Sequence, residues 1–143
     1  MSYAVQADMV LRFGDREIIA ATDRNNLGFI DATVLAGAID EAAVEIDGYL
    51  SGRWALPLPS VPRLLTGVCC DIARYRLCGA EVQETDAIRN RYKDAVKMLE
   101  AMRDGKLSVG LDTTNSNVAT GATVKINNGA RKFSAVTDTL ADY

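Results

Sequence analysis

Few residues of this chain have the means to do chemistry. Glu41 and Glu45 stand four apart with Asp40 and Asp47 beside them. On a helix that spacing puts two carboxylates on one face, where they could hold a hard cation or share a proton. The same acids lie off the apolar stripe of their segment, and carboxylates so placed ordinarily just face water. Cys69, Cys70 and Cys78 are the three thiols. Their number is odd, their spacing matches no zinc pattern, and adjacent Cys69 and Cys70 point to different faces of a helix. They read as small buried hydrophobes. A reactive thiol would lack an activating imidazole, because the chain has no histidine. Asp71 and Arg74, three apart, read as a surface ion pair. Gly105-Lys106 lacks the upstream glycine and following Ser or Thr of a phosphate loop. The expectation is a protein that is not an enzyme, with no catalytic or metal residues and no cofactor.

The totals point the same way. The 143 residues fit one domain with an appendage, and a hydrophobic share of 48% is enough for a real core. Aromatics are only 6%, so that core must be built from Ala, Val, Leu and Ile, which favours closely approaching helices. Net charge is −3, with sixteen acidic and thirteen basic residues through Leu111 and three of each after it. Such a balance supplies no field for gripping a phosphate backbone. Met1-Ser2-Tyr3-Ala4-Val5 lacks a charged then apolar leader pattern, and no apolar run approaches the length of a membrane span. A chain handled without a membrane is expected.

The element that must position everything else runs from Asp31 to about Ser51. Leu35, Ile39, Ala42, Ile46 and Tyr49 recur every three or four residues, one stripe of a helix about 30 Å long, and Asp31 precedes the pattern as its cap. Before it, Gln6–Phe13 reads as a short helix stopped by Gly14, and Asp15 as the cap of a second, Arg16–Ala21. Thr22 to Gly28 is loop chemistry. After it, Pro57, Pro59 and Pro62 enforce an extended segment, along which Trp54, Leu56 and Leu58 alternate. That apolar edge serves either as a clasp on the domain's own core or as a face for a partner. Pro62 opens the next helix in its first turn, with Leu65, Val68, Cys69, Ile72 and Tyr75 on one side, to about Leu77. Thr85-Asp86 begins the last long helix, which carries Ile88, Tyr92, Ala95, Leu99 and Met102 inward and ends at Gly105. Leu35, Ile39, Ile46, Tyr49, Ile72, Tyr75, Tyr92 and Leu99 are the expected organisers of the core.

The composition shifts at Asp112. Residues 112–123 are rich in Thr, Asn, Ser and Gly and predict a flexible linker. Beyond them Val124, Ile126 and Phe133 flank Asn127-Asn128-Gly129, a hairpin signal. The predicted architecture is therefore mainly α. Residues 1–111 form a small bundle of two short and three longer helices, and residues 112–143 form a linker with a β-hairpin arm. Since an isolated hairpin is marginal in water, the arm should rest on its own core or on a neighbouring subunit. Trp54, Leu56, Leu58, Val124, Ile126 and Phe133 are the candidate contact residues.

Several stretches, taken in order and spacing, carry a resemblance. They are Arg12-Phe13-Gly14; Ile46-Asp47-Gly48-Tyr49-Leu50 with Arg53-Trp54-Ala55-Leu56-Pro57-Leu58 and Pro62; and Asp71-Ile72-Ala73-Arg74-Tyr75 with Tyr92-Lys93-Asp94-Ala95. Over Tyr3 to about Leu111 the chain resembles a family of Mu-like phage and prophage structural proteins. Trp54 stands where a Tyr is expected, which keeps the aromatic. That family is similar to the small helical connectors of tailed phages. The resemblance implies an adaptor subunit assembling as a homo-oligomeric ring beneath the portal, with portal and tail-completion proteins as partners. The isolated chain could then be a monomer. Packaged DNA would pass through without specific binding, and the mild acidity suits such a channel. The implied location is the host bacterial cytoplasm during assembly and then the head–tail junction of the virion. The alternative is a prophage-encoded helical regulatory module acting on a host protein or on DNA.

Overall fold

The computed structural model describes residues 2–79 and 84–109. These residues hold five helices: α1 (Gln6–Phe13), α2 (Asp15–Thr22), α3 (Ala32–Leu50), α4 (Arg63–Arg76) and α5 (Asp86–Arg103). The expected linker and hairpin arm, with Val124, Ile126 and Phe133, lie outside the described residues.

α3 is the spine. The Asp31 carboxylate accepts from the Thr33 N–H at 2.9 Å and the Val34 N–H at 3.1 Å, satisfying two of the donors a helix start leaves free. Its buried positions, Leu35, Ala38, Ile39, Ala42, Ala43, Ile46 and Leu50, mix large side chains with alanines. The alanines let α4 approach closely, and α4 answers with Leu65, Val68, Cys69, Ile72 and Ala73. α3, α4 and α5 pack pairwise into a three-helix bundle, while α1 and α2 pack on each other and against α3. Leu35, Ile39, Ile46, Ile72 and Leu99 are buried, and Tyr49 and Tyr92 are half-buried against that core. Tyr75 is half-buried and stacks on Tyr92, with ring centroids 4.2 Å apart.

The ends of the elements follow from local chemistry. Gly14 has φ of +86°, a conformation that L side chains rarely adopt. It closes α1 through its N–H to the Val10 carbonyl and opens α2 by accepting from the Ile18 N–H. Gly14 is thus the N-cap of α2, and Asp15, expected as the cap, is its first helical residue. Thr22, expected in the loop, is the last residue of α2 and fully buried. Its hydroxyl donates to the Ile18 carbonyl at 2.8 Å and accepts from the Asp31 N–H at 3.2 Å, joining the end of α2 to the cap of α3. Pro62 is the N-cap of α4, one residue before the helix proper. Gly105, with φ of +76°, turns the chain after α5.

Among the described residues no helix is long and apolar enough to cross a membrane.

Candidate interaction surfaces

The carboxylates of α3 do not converge on one another. Glu45 is half-buried and accepts from Arg76 at 2.8 Å and from the Tyr92 hydroxyl at 3.0 Å, so it is a tie between three helices. Burial first, and then this bond to a carboxylate, push the Tyr92 phenol above its ordinary pKa. Asp47 accepts from the hydroxyl of buried Tyr3, which pins the N-terminal segment to α3. Asp40 and Glu41 remain exposed, and no group of acidic, Cys or His residues able to hold a metal ion occurs among the described residues. Cys69 and Cys70 are free and buried between helices, and that burial pushes their thiols up to about 12 and about 11. A thiol so placed stays protonated at neutral pH and is a poor nucleophile.

The Pro-rich edge turns inward. Trp54 is 6% exposed and Leu58 3%, and Leu56 packs on the same core half-buried. Arg53 covers the Trp54 ring, its guanidinium carbon 5.5 Å from the ring centroid. All three apolar side chains of the edge are thus engaged within the chain's own fold. The most exposed large apolar side chains are elsewhere: Leu11 on α1, Leu27 and Phe29 between α2 and α3, and Val44 on α3, with Val5, Leu64 and Met98 less so.

Asp71 and Arg74 are not partners of each other. Arg12 grips Asp71 with two bonds, Nη2 to Oδ2 at 2.7 Å and Nε to Oδ1 at 3.2 Å, and Arg91 reaches the same carboxylate at 3.7 Å. Arg74 instead donates through Nε to Glu17 of α2. The three guanidiniums surround Phe13, their central carbons 5.8–5.9 Å from its ring centroid. Together with Ile88, Thr85 and Ala87 they line a cleft of about 370 Å3. Arg74 is only 8% exposed, and its Nη1 is buried without a hydrogen-bond partner. Spacing along α4 suggested the local pair; the hydrogen-bonded partners, Arg12 and Glu17, come from more than fifty positions away. A signal was nevertheless present, since Arg12-Phe13-Gly14 and Asp71 to Tyr75 are two of the stretches that carry the resemblance, and the fold brings them together.

With this geometry in place, comparison with known proteins is decisive. The family model described as "Bacteriophage Mu, Gp36" matches residues 3–128. The chain belongs to the phage Mu Gp36 family. The match to this family continues past Asp112, so the helical part and the start of the tail are matched as one stretch. Its relatives include the "Mu-like prophage FluMu protein gp36" of Haemophilus influenzae (strain Rd), 38% identical over 106 residues, or 74% of this chain and 70% of that protein. "Gene product J" of Escherichia phage Mu is 37% identical over 114 residues, 79% of each chain. All three identify a protein of Mu-like phages and prophages.

Proposed function

We propose that this chain is a structural subunit of Mu-like particle morphogenesis, a head–tail connector that assembles as a ring beneath the portal. Membership of the phage Mu Gp36 family is the observation that carries the reading. The described helices add to it. They are built almost wholly to pack, and they leave a set of uncovered apolar side chains, Leu11, Leu27, Phe29 and Val44, that a neighbouring protein would cover. Identical subunits repeated head to tail by a rotation that closes give such a ring. In this reading the tail beyond Leu111 is the second contact element, reaching a neighbouring copy or the portal, and DNA passes through without specific binding.

The test is composition. Purified particles of a Mu-like phage carrying this gene should contain the chain by mass spectrometry, in a fixed ratio to the portal protein. Its absence from particles would favour instead a regulatory module acting on a host protein or DNA.

A further inference from the structure

We propose that the cleft framed by Arg12, Phe13, Arg74 and Arg91 is a receptor for carboxylates, and that its occupant is the Asp40–Glu41 stripe of a second copy of this chain. The proposal rests on the ring reading and names the two faces that such a ring would join.

The cleft has the chemistry of a carboxylate site. Three guanidiniums meet the two carboxylates of Asp71 and Glu17, which leaves one net positive charge. That excess, above a buried donor with no acceptor, suits an entering acidic side chain. Arg74 supplies the unmet need: it is more than nine-tenths buried, its Nε is held by Glu17, and its Nη1 donates to nothing. A buried guanidinium donor without an acceptor is costly, and an entering carboxylate relieves it. Arg12 and Arg91, with side chains 40% and 58% exposed and both against the Asp71 carboxylate, form the solvent-facing rim of the cleft. Phe13 and Ile88 give the cleft an apolar wall.

The complementary face lies on α3. Gly37, Asp40, Glu41, Val44 and Gly48 recur at three- and four-residue spacing, and all are exposed. Asp40 and Glu41 form no ion pair among the described residues, although Glu45 beside them is held by Arg76. Val44, 71% exposed, stands one turn along from them, where an apolar wall opposite would cover it. The flanking glycines let a partner backbone come close.

The two faces are separate, as head-to-tail assembly requires. On α4, Arg74 turns to Glu17 of α2 whereas Arg76 turns to Glu45 of α3. Two residues apart on a helix is a rotation of about 200°, so cleft and stripe sit on different sides of the bundle. One copy can therefore offer its stripe to a second while receiving a third in its cleft. A self-paired, two-fold contact would leave one face of each copy unused.

The experiment needs no phage. Amide spectra of the isotope-labelled full chain are recorded by NMR across a wide concentration range at low salt. Concentration-dependent shifts should fall on residues around Phe13, Arg74 and Arg91 and on Gly37 to Val44, and should fade with added salt. Either Arg91→Glu or the paired Asp40→Lys and Glu41→Lys should weaken self-association by about tenfold or more. All three residues are exposed, so circular dichroism should be unchanged. Placing the reversals together in one chain should restore association. Shifts absent from either patch, or a combined variant as weak as the single ones, would overturn the proposal. Such a result leaves the connector reading standing, whereas absence from particles sinks that reading without touching this contact.

Discussion

The Tyr92 hydroxyl donates to the Glu45 carboxylate at 3.0 Å, joining α5 to α3 across 47 positions of sequence. The other oxygen of Glu45 receives Arg76 of α4, and Tyr75 of α4 stacks on the Tyr92 ring. One half-buried carboxylate thus holds all three long helices in register. A charged acceptor is used where an apolar residue would pack more cheaply, which suggests it fixes which face of α5 meets α3 rather than adding much net stability. Tyr92→Phe deletes one bond and should cost about 1 kcal/mol in urea unfolding. Glu45→Ala leaves the half-buried Tyr92 hydroxyl without its acceptor and releases the exposed Arg76 to water, and should cost about 2 kcal/mol, with the larger effect deciding that the carboxylate is the hub. Equal and negligible losses would place these contacts among the many surface pairs that contribute little.

Burial of Trp54 predicts a stability effect in the chain alone. Trp54→Ala removes a side chain that is 6% exposed and should cost about 3 kcal/mol or more, measured by denaturant midpoint without any partner. Val44→Ala, at a side chain 71% exposed, should change the midpoint by less than about 0.5 kcal/mol and act only on association. The reverse pattern would mean that the Pro-rich edge is a partner face and α3's outer stripe is not.

Much of this was legible in the sequence, and the exceptions have one cause. The periodicity of Leu35, Ile39, Ala42 and Ile46 and the cap chemistry of Asp31 located α3 to within a residue, because both signals are local. The stop at Gly14 was read correctly, but its second role as the start of α2 was not, since one φ of +86° serves both helices only when they meet at a corner. Thr22 looked like a loop residue; its place as a buried link to the Asp31 N–H depends on where α2 ends relative to α3. Asp71 and Arg74 obey the three-residue spacing of a helix pair, yet each finds a better partner on another helix. Glu45 looked solvated because its own helix stripe excludes it, and the neighbours that claim it come from α4 and α5. Local signals set the elements, and the polar contacts between elements required the fold.

Alkaline pH should weaken the domain. The Cys69 and Cys70 thiols are raised from 9.0 to about 12 and about 11, chiefly by burial, and buried Tyr3 is raised as well by burial and its bond to Asp47. A raised acid keeps its proton longer in the folded chain, so the unfolded chain loses protons first as pH climbs. Stability is therefore full below about pH 9 and falls from there as pH climbs toward the folded-state values of the two thiols. Urea midpoints taken between about pH 8 and pH 10.5 should decline, and the Cys69→Ala, Cys70→Ala double variant should decline less steeply. A flat profile in the parent chain would show that these thiols are not buried as described.

Gly105 carries a backbone requirement. With φ of +76° it ends α5, its N–H bonding the Met102 carbonyl at 3.0 Å while Lys106 bonds the Ala101 carbonyl at 2.8 Å. A Cβ there would also press on the Arg53 guanidinium that covers Trp54. Gly105→Ala should lower stability by about 1–2 kcal/mol, whereas Gly37→Ala, in open space on α3, should be neutral or slightly stabilising. Equal effects of the two substitutions would contradict the assigned turn.

The central claim is that the chain joins heads to tails. The most direct measurement is an in-vitro joining assay with lysate from a Mu-like phage lacking this gene, to which the purified full chain is added back. The account predicts that heads and tails accumulate apart without the chain and that its addition converts them to joined, infectious particles. Joined particles forming equally well in its absence would contradict it.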